Sequence, residues 1–447
     1  MPPRHQAGVE TYTSRLAAAL AARHATAVFA ADDDPARTPG SVSERDGGGY
    51  PVIEVAEPRR TDRPSDTWRS PRAEAAFEAT LRRFRPDVVH FQNLRFLGFE
   101  LPSLARRAGA RTLATLHDHW LICARDGQLV DASGALCAGP APAKCAACLT
   151  GYRWGLSPAE ARAARVAARF KARFGPDLTP TLRRGALWLR RLRAGGARPS
   201  PDTLPAVEAR SAALLRVFDA IDLFTAPSAF VATVHVAAGL PPARIVRLPY
   251  GMDPPRRTSP ISRPGSPLRI GYFGTVTPHK GPDLLIDAFS ALPPGAATLD
   301  VHGRDDQRPE FSGPLKRRGR ALGVRFHGAY RPEEAGDLLA GVDVVVAPSR
   351  WQENFPLAVL EARAAGRAAV VAETGGLREM VRDRVDGLLF RPGDAVDLAR
   401  ALRELLDDRE AVARYAAAAP RPATTAEHVA TLERLYAGGP SAEEGAP

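Results

Sequence analysis

The sequence predicts an α/β protein with two doubly wound, Rossmann-like domains of parallel strands. Short apolar runs alternate with helical patterns along all 447 residues. These runs are apolar on both faces, as in parallel sheets that helices cover on both sides. A proline-rich segment without apolar periodicity, residues 253–267, divides the chain into two strand–helix series of similar size. We therefore expect two sheets whose carboxyl edges face a common cleft, where ligands of such folds bind.

The expected elements follow from these runs in chain order. The N-terminal domain is expected over residues 1–252, with strands at 25–30, 87–91, 112–117, 223–227 and 244–249. A mostly helical, basic insertion at 150–212 interrupts this series. The C-terminal domain is expected over 268–420, with strands at 268–274, 298–303, 324–328, 343–348 and 368–372. We expect a helix over 421–437 to return to the N-terminal domain, and the tail 438–447 to be disordered.

The composition and charge of the chain indicate where the protein is located and which molecules it can bind. The net charge is +11, and 45% of the residues are hydrophobic, as in a globular protein with a large core. We see neither an apolar run of membrane-spanning length nor a signal peptide, so we expect a cytoplasmic protein. Arginines crowd residues 166–199 among Leu187, Trp188, Leu189 and Leu192. This segment is either a solvated helical face or a surface that binds anionic membrane lipid, placing the protein peripherally on the inner face of the membrane.

A site for a diphosphate is predicted in residues 347–394, which have the pattern strand, loop, helix, strand, Gly-Gly loop, helix. Glu353 ends the first loop, and Pro356 is expected in the first turn of the following helix. The backbone N–H groups at this helix start point into the cleft with the positive end of the helix dipole, which favours a diphosphate. Glu353 can accept hydrogen bonds from sugar hydroxyls, and Glu361, one to two turns into the helix, can reach a ribose. The candidate residues here are Glu353, Asn354, Phe355, Pro356, Leu357 and Glu361.

Two glutamates separated by seven residues, followed by a small-residue helix and a Gly-Gly loop, resemble the GT-B glycosyltransferases of the retaining family 4. The resemblance implies that Glu353 holds the hydroxyls of the donor sugar, that Glu361 binds the nucleotide ribose and that the backbone of 354–357 cradles the diphosphate. Lys280 in the segment GTVTPHKG matches the lysine that contacts the diphosphate. Gly274 fits the pattern, but Thr275 stands where the family usually has an arginine. Arg304 and Arg350 are the candidates to replace it.

The resemblance also accounts for the first residues of the chain. Family members begin with a strand, then a P-x-x-G-G-x-E turn over the donor diphosphate, then a helix. Here Gly8 and Glu10 fit this turn, and Ala7 stands in place of its first glycine. The family's first strand is not visible. We expect either that the true start lies upstream, which would leave a sheet edge exposed in this chain, or that another strand fills the gap.

The acceptor side of the active site is predicted from the segment TLHDHWLIC at 115–123, which follows a strand. The resemblance implies that His117 faces the reacting sugar and the acceptor. Asp118 would position the acceptor hydroxyl or hold the imidazole in one tautomer. The family resemblance further implies a retaining, metal-independent hexosyl transfer from a nucleotide sugar to a glycan or lipid-linked glycan. The alternatives are a GT-B epimerase or, remotely, a basic zinc-containing protein that binds nucleic acid; we expect no nucleic-acid partner.

The four cysteines of the chain lie close together in sequence, and they include a C-x-x-C pair. Four thiolates suit a tetrahedral zinc ion. We therefore expect a structural zinc site that braces the loop beside the acceptor pocket, with an iron–sulfur cluster or free thiols as the alternatives. No cofactor is expected to be required for catalysis. The candidate ligands are Cys123, Cys137, Cys145 and Cys148.

Overall fold

A computed structural model of the chain describes residues 8–34, 36–57, 64–150, 203–255 and 259–439, with the isolated residues 152, 162, 166, 167 and 173. The described residues divide into two compact units. The first comprises the chain up to Ala226, then Ala232–Val246 and the stretch that begins at Leu435. The second comprises Pro227–Val231 and Arg247–Arg434. Almost all of the basic insertion, with its Leu187–Leu192 segment, lies outside the described residues.

The first unit contains two sheets within its described residues, one of three strands and one of four. The three-stranded sheet has the order β1-β3-β2, and the four-stranded sheet has the order β4-β5-β6-β7. Its strands are β1 (Val28–Asp32), β2 (Val42–Asp46), β3 (Pro51–Ala56), β4 (Val88–Phe91), β5 (Arg111–Thr115), β6 (Leu223–Ala226) and β7 (Ile245–Arg247). The helices up to this point in the chain are α1 (Gly8–Ala21), α2 (Pro71–Phe84), α3 (Leu101–Arg107), α4 (Pro142–Cys148), α5 (Thr203–Ala220) and α6 (Ala229–Ala237).

Strands β2 and β3 were not predicted, and they form an antiparallel hairpin. The β2 sequence VSERD is polar and mostly exposed, so it lacks the apolar run that marks a buried strand. Its partner β3 pairs in parallel with β1, which lies at Val28–Asp32 rather than at 25–30. Residues 1–7 lie outside the described residues, and so does the expectation about a first strand. Gly8 is the first residue of α1 and is exposed.

The second unit holds a six-stranded sheet with the order β10-β9-β8-β11-β12-β13, in which every pair is parallel. The strands are β8 (Leu268–Phe273), β9 (Ala297–His302), β10 (Arg325–Gly328), β11 (Val344–Ala347), β12 (Ala368–Ala372) and β13 (Leu388–Phe390). The described helices that follow in the chain are α7 (Pro282–Ser290), α8 (Pro309–Ala321), α9 (Ala335–Ala340), α10 (Leu357–Ala364), α11 (Leu377–Met380), α12 (Ala395–Asp407), α13 (Arg409–Ala418) and α14 (Thr425–Tyr436), the last of which ends in the first unit. This confirms the doubly wound parallel sheet that the sequence predicts.

The core of the second unit explains why its strands were easy to recognise. All five residues of β12 are buried, and so are Val344, Val345 and Val346 of β11. Each such valine removes apolar surface from water and contributes on the order of 1.5–3 kcal/mol. Strands buried on both faces give continuous apolar runs. The helices between them cover the sheet, and α12 is capped by Asp394, which accepts hydrogen bonds from Val396 and Asp397.

The proline-rich segment belongs to the second unit where it is described. The backbone N–H and the hydroxyl of Ser262 donate to the buried carboxylate of Asp343, at 2.8 and 2.5 Å. Arg269 of β8 donates to the same carboxylate at 2.6 and 3.1 Å. The described part of the segment is therefore hydrogen-bonded to the sheet of the second unit. Among the described helices, none has the length and apolar character needed to cross a membrane.

Candidate functional site

The strand order of the second unit defines where a ligand should bind. From β8 the chain winds to β9 and β10 on one side, and to β11, β12 and β13 on the other. Strands β8 and β11 are neighbours in the sheet, so their following loops leave the carboxyl edge in opposite directions. Such a switch point creates a crevice that binds nucleotides in doubly wound folds. Lys280 lies in the loop after β8, and Glu353 lies in the loop after β11.

The Gly-Gly loop supports the loop after β11 by direct backbone contact. The N–H of Gly376 donates to the carbonyl of Glu353 at 2.6 Å. A Cβ on Gly376 would lie 1.7 Å from the carbonyl oxygen of Asn354, closer than any side chain tolerates. Gly375 has a φ of +52°, in the left-handed region that favours glycine. The two glycines therefore let the loop lie flat against residues 353 and 354, which are both buried.

Helix α10 begins one residue later than predicted. Pro356 is its N-cap, with an extended backbone (φ −66°, ψ 125°), and Leu357 is the first helical residue. The expectation of Pro356 inside the first turn was therefore wrong by one position, because a capping residue keeps non-helical angles. The helix N-terminus still follows directly after the loop of Asn354 and Phe355, whose ring lies edge-on to Tyr250 at 5.8 Å. Glu361 is the fifth helical residue and is partly buried.

Lys280 and Glu353 face each other at the switch point. The ammonium nitrogen of Lys280 lies 2.7 Å from Oε1 of Glu353, and it also lies 4.9 Å from the ring centre of Trp351. The hydroxyl of Ser349 donates to the same carboxylate oxygen at 2.5 Å. Burial alone would raise the pKa of Glu353, but the charge of Lys280 and these hydrogen bonds hold it below the ordinary value. The site therefore carries an ionised carboxylate and an ammonium group in contact.

The loops after β8 and β9 lie side by side. The N–H of Gly274 donates to the carbonyl of His302 at 2.9 Å, and the N–H of Val276 donates to that of Arg304 at 2.8 Å. Thr275, which stands where the family usually has an arginine, lies between these two contacts. The backbone of Arg304 is therefore adjacent to that position. The Arg304 side chain pairs with Asp306 at 3.0 Å.

Arg350, the other candidate to replace the family's arginine, forms an ion pair with Asp283. Both terminal nitrogens of Arg350 donate to the carboxylate of Asp283 at 2.7 Å, and one also donates to the carbonyl of Pro278. This pairing fixes the turn that carries Lys280, between β8 and α7. Arg350 therefore positions the loop that contains the lysine.

The first unit brings His117 and Asp118 together at the carboxyl ends of β4 and β5. Nε2 of His117 donates to Oε1 of Gln92 at 2.7 Å. Asn93 donates its side-chain amide to Asp118 at 3.0 Å, and the N–H of Trp120 donates to the other carboxylate oxygen at 2.8 Å. Sequence reasoning missed Gln92 and Asn93. The signal was present, since both polar residues come directly after the apolar run DVVHF.

These residues line a small cavity of about 20 Å³ within the first unit. Its wall consists of residues 91–94, 114–118, 120, 121 and 221. Burial raises the pKa of Asp118, although the Trp120 and Asn93 hydrogen bonds and the charge of Arg95 oppose the rise. Helix α1 contributes Tyr12, whose ring lies edge-on to His117 at 4.7 Å. The segment after Gly8 therefore reaches the candidate acceptor side of the site.

The four cysteines are partly buried and form no disulfide. Cys145 and Cys148 lie on α4, which packs against α5. The backbone N–H of Cys137 donates to Leu129, and burial raises the pKa of the Cys123 thiol. Among the described residues, no three of these sulfur atoms lie close enough together to form a metal-binding group.

One group of three potential metal ligands occurs among the described residues, and it is formed by Asp300, His302 and His327. The Asp300 carboxylate accepts from two nitrogens of Arg325, at 2.7 and 2.5 Å. Its charge is therefore already matched by a guanidinium group. The rings of His302 and His327 are stacked at 4.3 Å, so they do not converge on one point. We assign no metal to this group.

Comparison with known proteins agrees with the fold. The model of Glycosyltransferase Family 4 matches residues 7–174, and that of Glycosyl transferases group 1 matches residues 267–408. The Anabaena protein Alr3699/HepE, solved in complex with UDP, has 17% identity and a TM-score of 0.59 over 96% of both chains. Sucrose-phosphate synthase from Thermosynechococcus elongatus has 17% identity and a TM-score of 0.62 over 97% of this chain and 93% of that one. The fold is therefore GT-B.

Curated relatives agree with this class. D-inositol 3-phosphate glycosyltransferase from Geodermatophilus obscurus is 33% identical over 46% of this chain and 49% of its own. Glycogen synthase from Mycobacterium tuberculosis is 34% identical over 41% and 45%. The chain spans about half the length of the curated relatives it matches. With the two family models matching in order, the chain belongs to the GT-B glycosyltransferases of family 4.

Proposed function

We propose that this protein is a retaining glycosyltransferase that moves a hexose from a nucleoside diphosphate sugar to a hydroxyl of a glycan or lipid-linked glycan. One observation carries the proposal: Lys280, Glu353 and the N-terminus of α10 surround the switch point of a doubly wound sheet. This combination offers positive charge for a diphosphate and a carboxylate for sugar hydroxyls. The structural neighbour in complex with UDP and glucose supports the same class of donor.

Each residue of the site would have a distinct role in the transfer reaction. The α10 N-terminus and Lys280 stabilise the charge that grows on the leaving diphosphate. Glu353 releases Lys280 when the donor arrives and then accepts hydrogen bonds from the sugar. Glu361 binds the ribose. The acceptor hydroxyl attacks the face from which the nucleotide leaves, and the departing phosphate oxygen takes its proton. No protein group then has to act as a strong base, and no metal ion is required.

A nucleotide-binding measurement tests this proposal. We expect one of UDP, GDP and ADP to raise the melting temperature of the full chain, because a ligand that binds only the folded state stabilises it by mass action. Glu361→Ala should abolish the rise without changing the fold. Glu333→Ala, at an exposed position in the same unit, is the matched control and should keep the rise. Equal responses of the two variants, or no response of the wild type to any nucleotide, would overturn the proposal.

We also propose that the protein works at the inner face of a membrane. The support is sequence alone: the basic insertion interleaves arginines with Leu187, Trp188, Leu189 and Leu192. Co-flotation with vesicles that contain phosphatidylglycerol is the test. The variant replaces with glutamine the arginines Arg183, Arg184, Arg190, Arg191 and Arg193. Flotation of the wild type that the variant loses, and that 0.5 M salt weakens, is the expected result; equal flotation contradicts it.

A further inference from the structure

Arg210 carries a buried positive charge on the helix beside the cysteine segment. It lies on α5, against which α4 with Cys145 and Cys148 packs, and it is only 7% exposed. Within the described ranges no carboxylate forms an ion pair with its guanidinium group, and its buried Nε has no hydrogen-bond partner. Removing a cation from water is costly, so a buried arginine normally has an anion beside it.

The contacts that hold Arg210 are polar or aromatic, but they carry no charge. Its two terminal nitrogens donate to the carbonyls of Trp120 and Leu121, the second at 2.8 Å. Its guanidinium carbon lies 5.1 Å from the ring centre of Trp120 and 5.2 Å from that of Phe99. These contacts fix the guanidinium group against the turn that leads to Cys123. They do not supply the negative charge that would balance it.

The ionisable groups that act on the charge of Arg210 are cysteine thiols. Burial lowers the pKa of Arg210 to about 10, and Cys123 and Cys145 oppose this decrease. Ordinary cysteine thiols are mostly neutral at pH 7, so they can balance a cation only when they are ionised. Metal binding ionises them, because a metal ion binds cysteine as the thiolate.

A second arginine contacts the cysteine segment directly. Nη1 of Arg125 donates to the carbonyl of Cys148 at 3.3 Å and lies 3.8 Å from its sulfur. The backbone N–H of Ala141 donates to the sulfur of Cys145 at 3.4 Å. Like Arg210, Arg125 has a buried Nε without a partner in the part of the chain that the structure describes. A thiol sulfur is a weak acceptor, so these N–H contacts favour the thiolate form.

We propose that the four cysteines bind a zinc ion as thiolates, and that Arg210 and Arg125 balance the charge of the resulting centre. The ligands are Cys123, Cys137, Cys145 and Cys148. A zinc ion with four thiolate ligands has two excess negative charges, which the two guanidinium groups match. Binding releases the four thiol protons to the solvent, and no redox step is involved. Since no three of these sulfurs are grouped among the described residues, the ion must draw them together. The transfer reaction proposed above does not use this centre.

The zinc affinity of the full chain tests the inference. Competition with a chromophoric chelator under reducing conditions gives the Kd for zinc of the wild type and of each variant. We expect Arg210→Met and Arg125→Met each to bind zinc at least about tenfold more weakly, because each removes a cation beside the anionic centre. Arg216→Met, at an exposed position of the same helix α5, is the matched control and should keep the wild-type affinity.

Urea unfolding of the zinc-bound and metal-free forms separates the charge of Arg210 from its packing. We expect Arg210→Met to lose more stability with zinc bound than without it. An equal loss in both forms would show that Arg210 only holds the turn at Trp120, and it overturns the inference. So does a wild type that binds no zinc, or wild-type affinity in either arginine variant. If Arg210→Met does not fold, Arg125→Met, at a partly buried position, decides the question. Nucleotide binding tests the proposed function independently of these outcomes.

Discussion

At the scale of single residues, the ion pair of Lys280 and Glu353 connects stability to function. Its two side chains are 25% and 7% exposed, so each charge depends on the other for much of its stabilisation. A buried carboxylate without a partner is strongly unfavourable. The proposed donor must nevertheless draw Lys280 toward its diphosphate. The free protein therefore keeps both groups ionised and in place, and a diphosphate can take over the role of the carboxylate as partner of the lysine.

Lys280→Met should destabilise the protein by about 3 kcal/mol at neutral pH, because it leaves the Glu353 carboxylate buried and unpaired. Urea unfolding measures the change. The pKa of Glu353 lies below its ordinary 4.5 in the folded wild type. Its stabilisation is therefore complete above pH 4.5 and is lost as the pH falls through the folded value. We expect the wild type and the variant to become similar in stability once the pH is below the pKa of Glu353 in the folded protein.

The double variant Lys280→Met/Glu353→Gln is the control for this prediction. It removes both charges, so it should recover most of the stability that the single variant loses. It should still fail to bind the nucleotide diphosphate. A double variant as unstable as Lys280→Met would show that the cost comes from lost packing of the lysine chain rather than from the unpaired carboxylate.

At the scale of elements, the Gly-Gly loop sets the position of the loop after β11. Gly376→Ala would place a methyl group where the carbonyl of Asn354 lies, 1.7 Å from the new Cβ. One of the two loops must then move. We expect the affinity for the nucleotide to fall at least about tenfold while the sheet stays folded, because small displacements of binding groups reduce affinity strongly. Isothermal titration with the best nucleotide measures the loss. Gly313→Ala in α8 is the control, because no backbone lies near its Cβ.

The cysteine-bearing segment is the second element with a testable role. We propose that Cys123, Cys137, Cys145 and Cys148 bind one structural zinc ion. Tetrahedral thiolate ligands at about 2.3 Å from zinc lie closer together than these sulfurs do, so binding would draw the segment inward. Purified protein should contain about one zinc per chain by elemental analysis. Cys145→Ser/Cys148→Ser should lose it, whereas Ser133→Ala, in the same segment, should retain it. Zinc-free wild type that is equally stable would refute the proposal.

The elements also show what the sequence could predict. The strands of the second unit lie within one or two residues of their predicted positions, because strands buried on both faces produce unmistakable apolar runs. The short β13 was missed, and so were β2 and β3, whose hairpin is exposed on the β2 side. At the site, Glu353 and Lys280 were predicted as separate ligands of the donor. Their mutual contact depends on side chains 73 residues apart, so no local pattern could reveal it.

At the scale of the whole molecule, the chain carries a net charge of +11, and exposed ion pairs contribute little to its stability. The buried carboxylates contribute more to stability than the exposed ion pairs do, and Asp343 is the clearest example. It is fully buried at the start of β11 and joins β8 to the proline-rich segment through Arg269 and Ser262. Burial would raise its pKa, but these hydrogen bonds lower it to about 2. The second unit thus includes a segment that its composition describes as a linker.

Asp343→Asn should destabilise the full chain by about 2 kcal/mol at neutral pH, the energy that corresponds to lowering a pKa from 3.8 to about 2. Because the folded pKa is depressed, this stabilisation is present above pH 3.8 and disappears as the pH falls toward 2. Chemical unfolding at a series of pH values measures it. Asp306→Asn, at an exposed carboxylate, is the control and should change little. If Asp343→Asn matches that control, then neither the carboxylate nor the segment it holds stabilises the second unit, and the proline-rich stretch acts as the linker that its composition predicts.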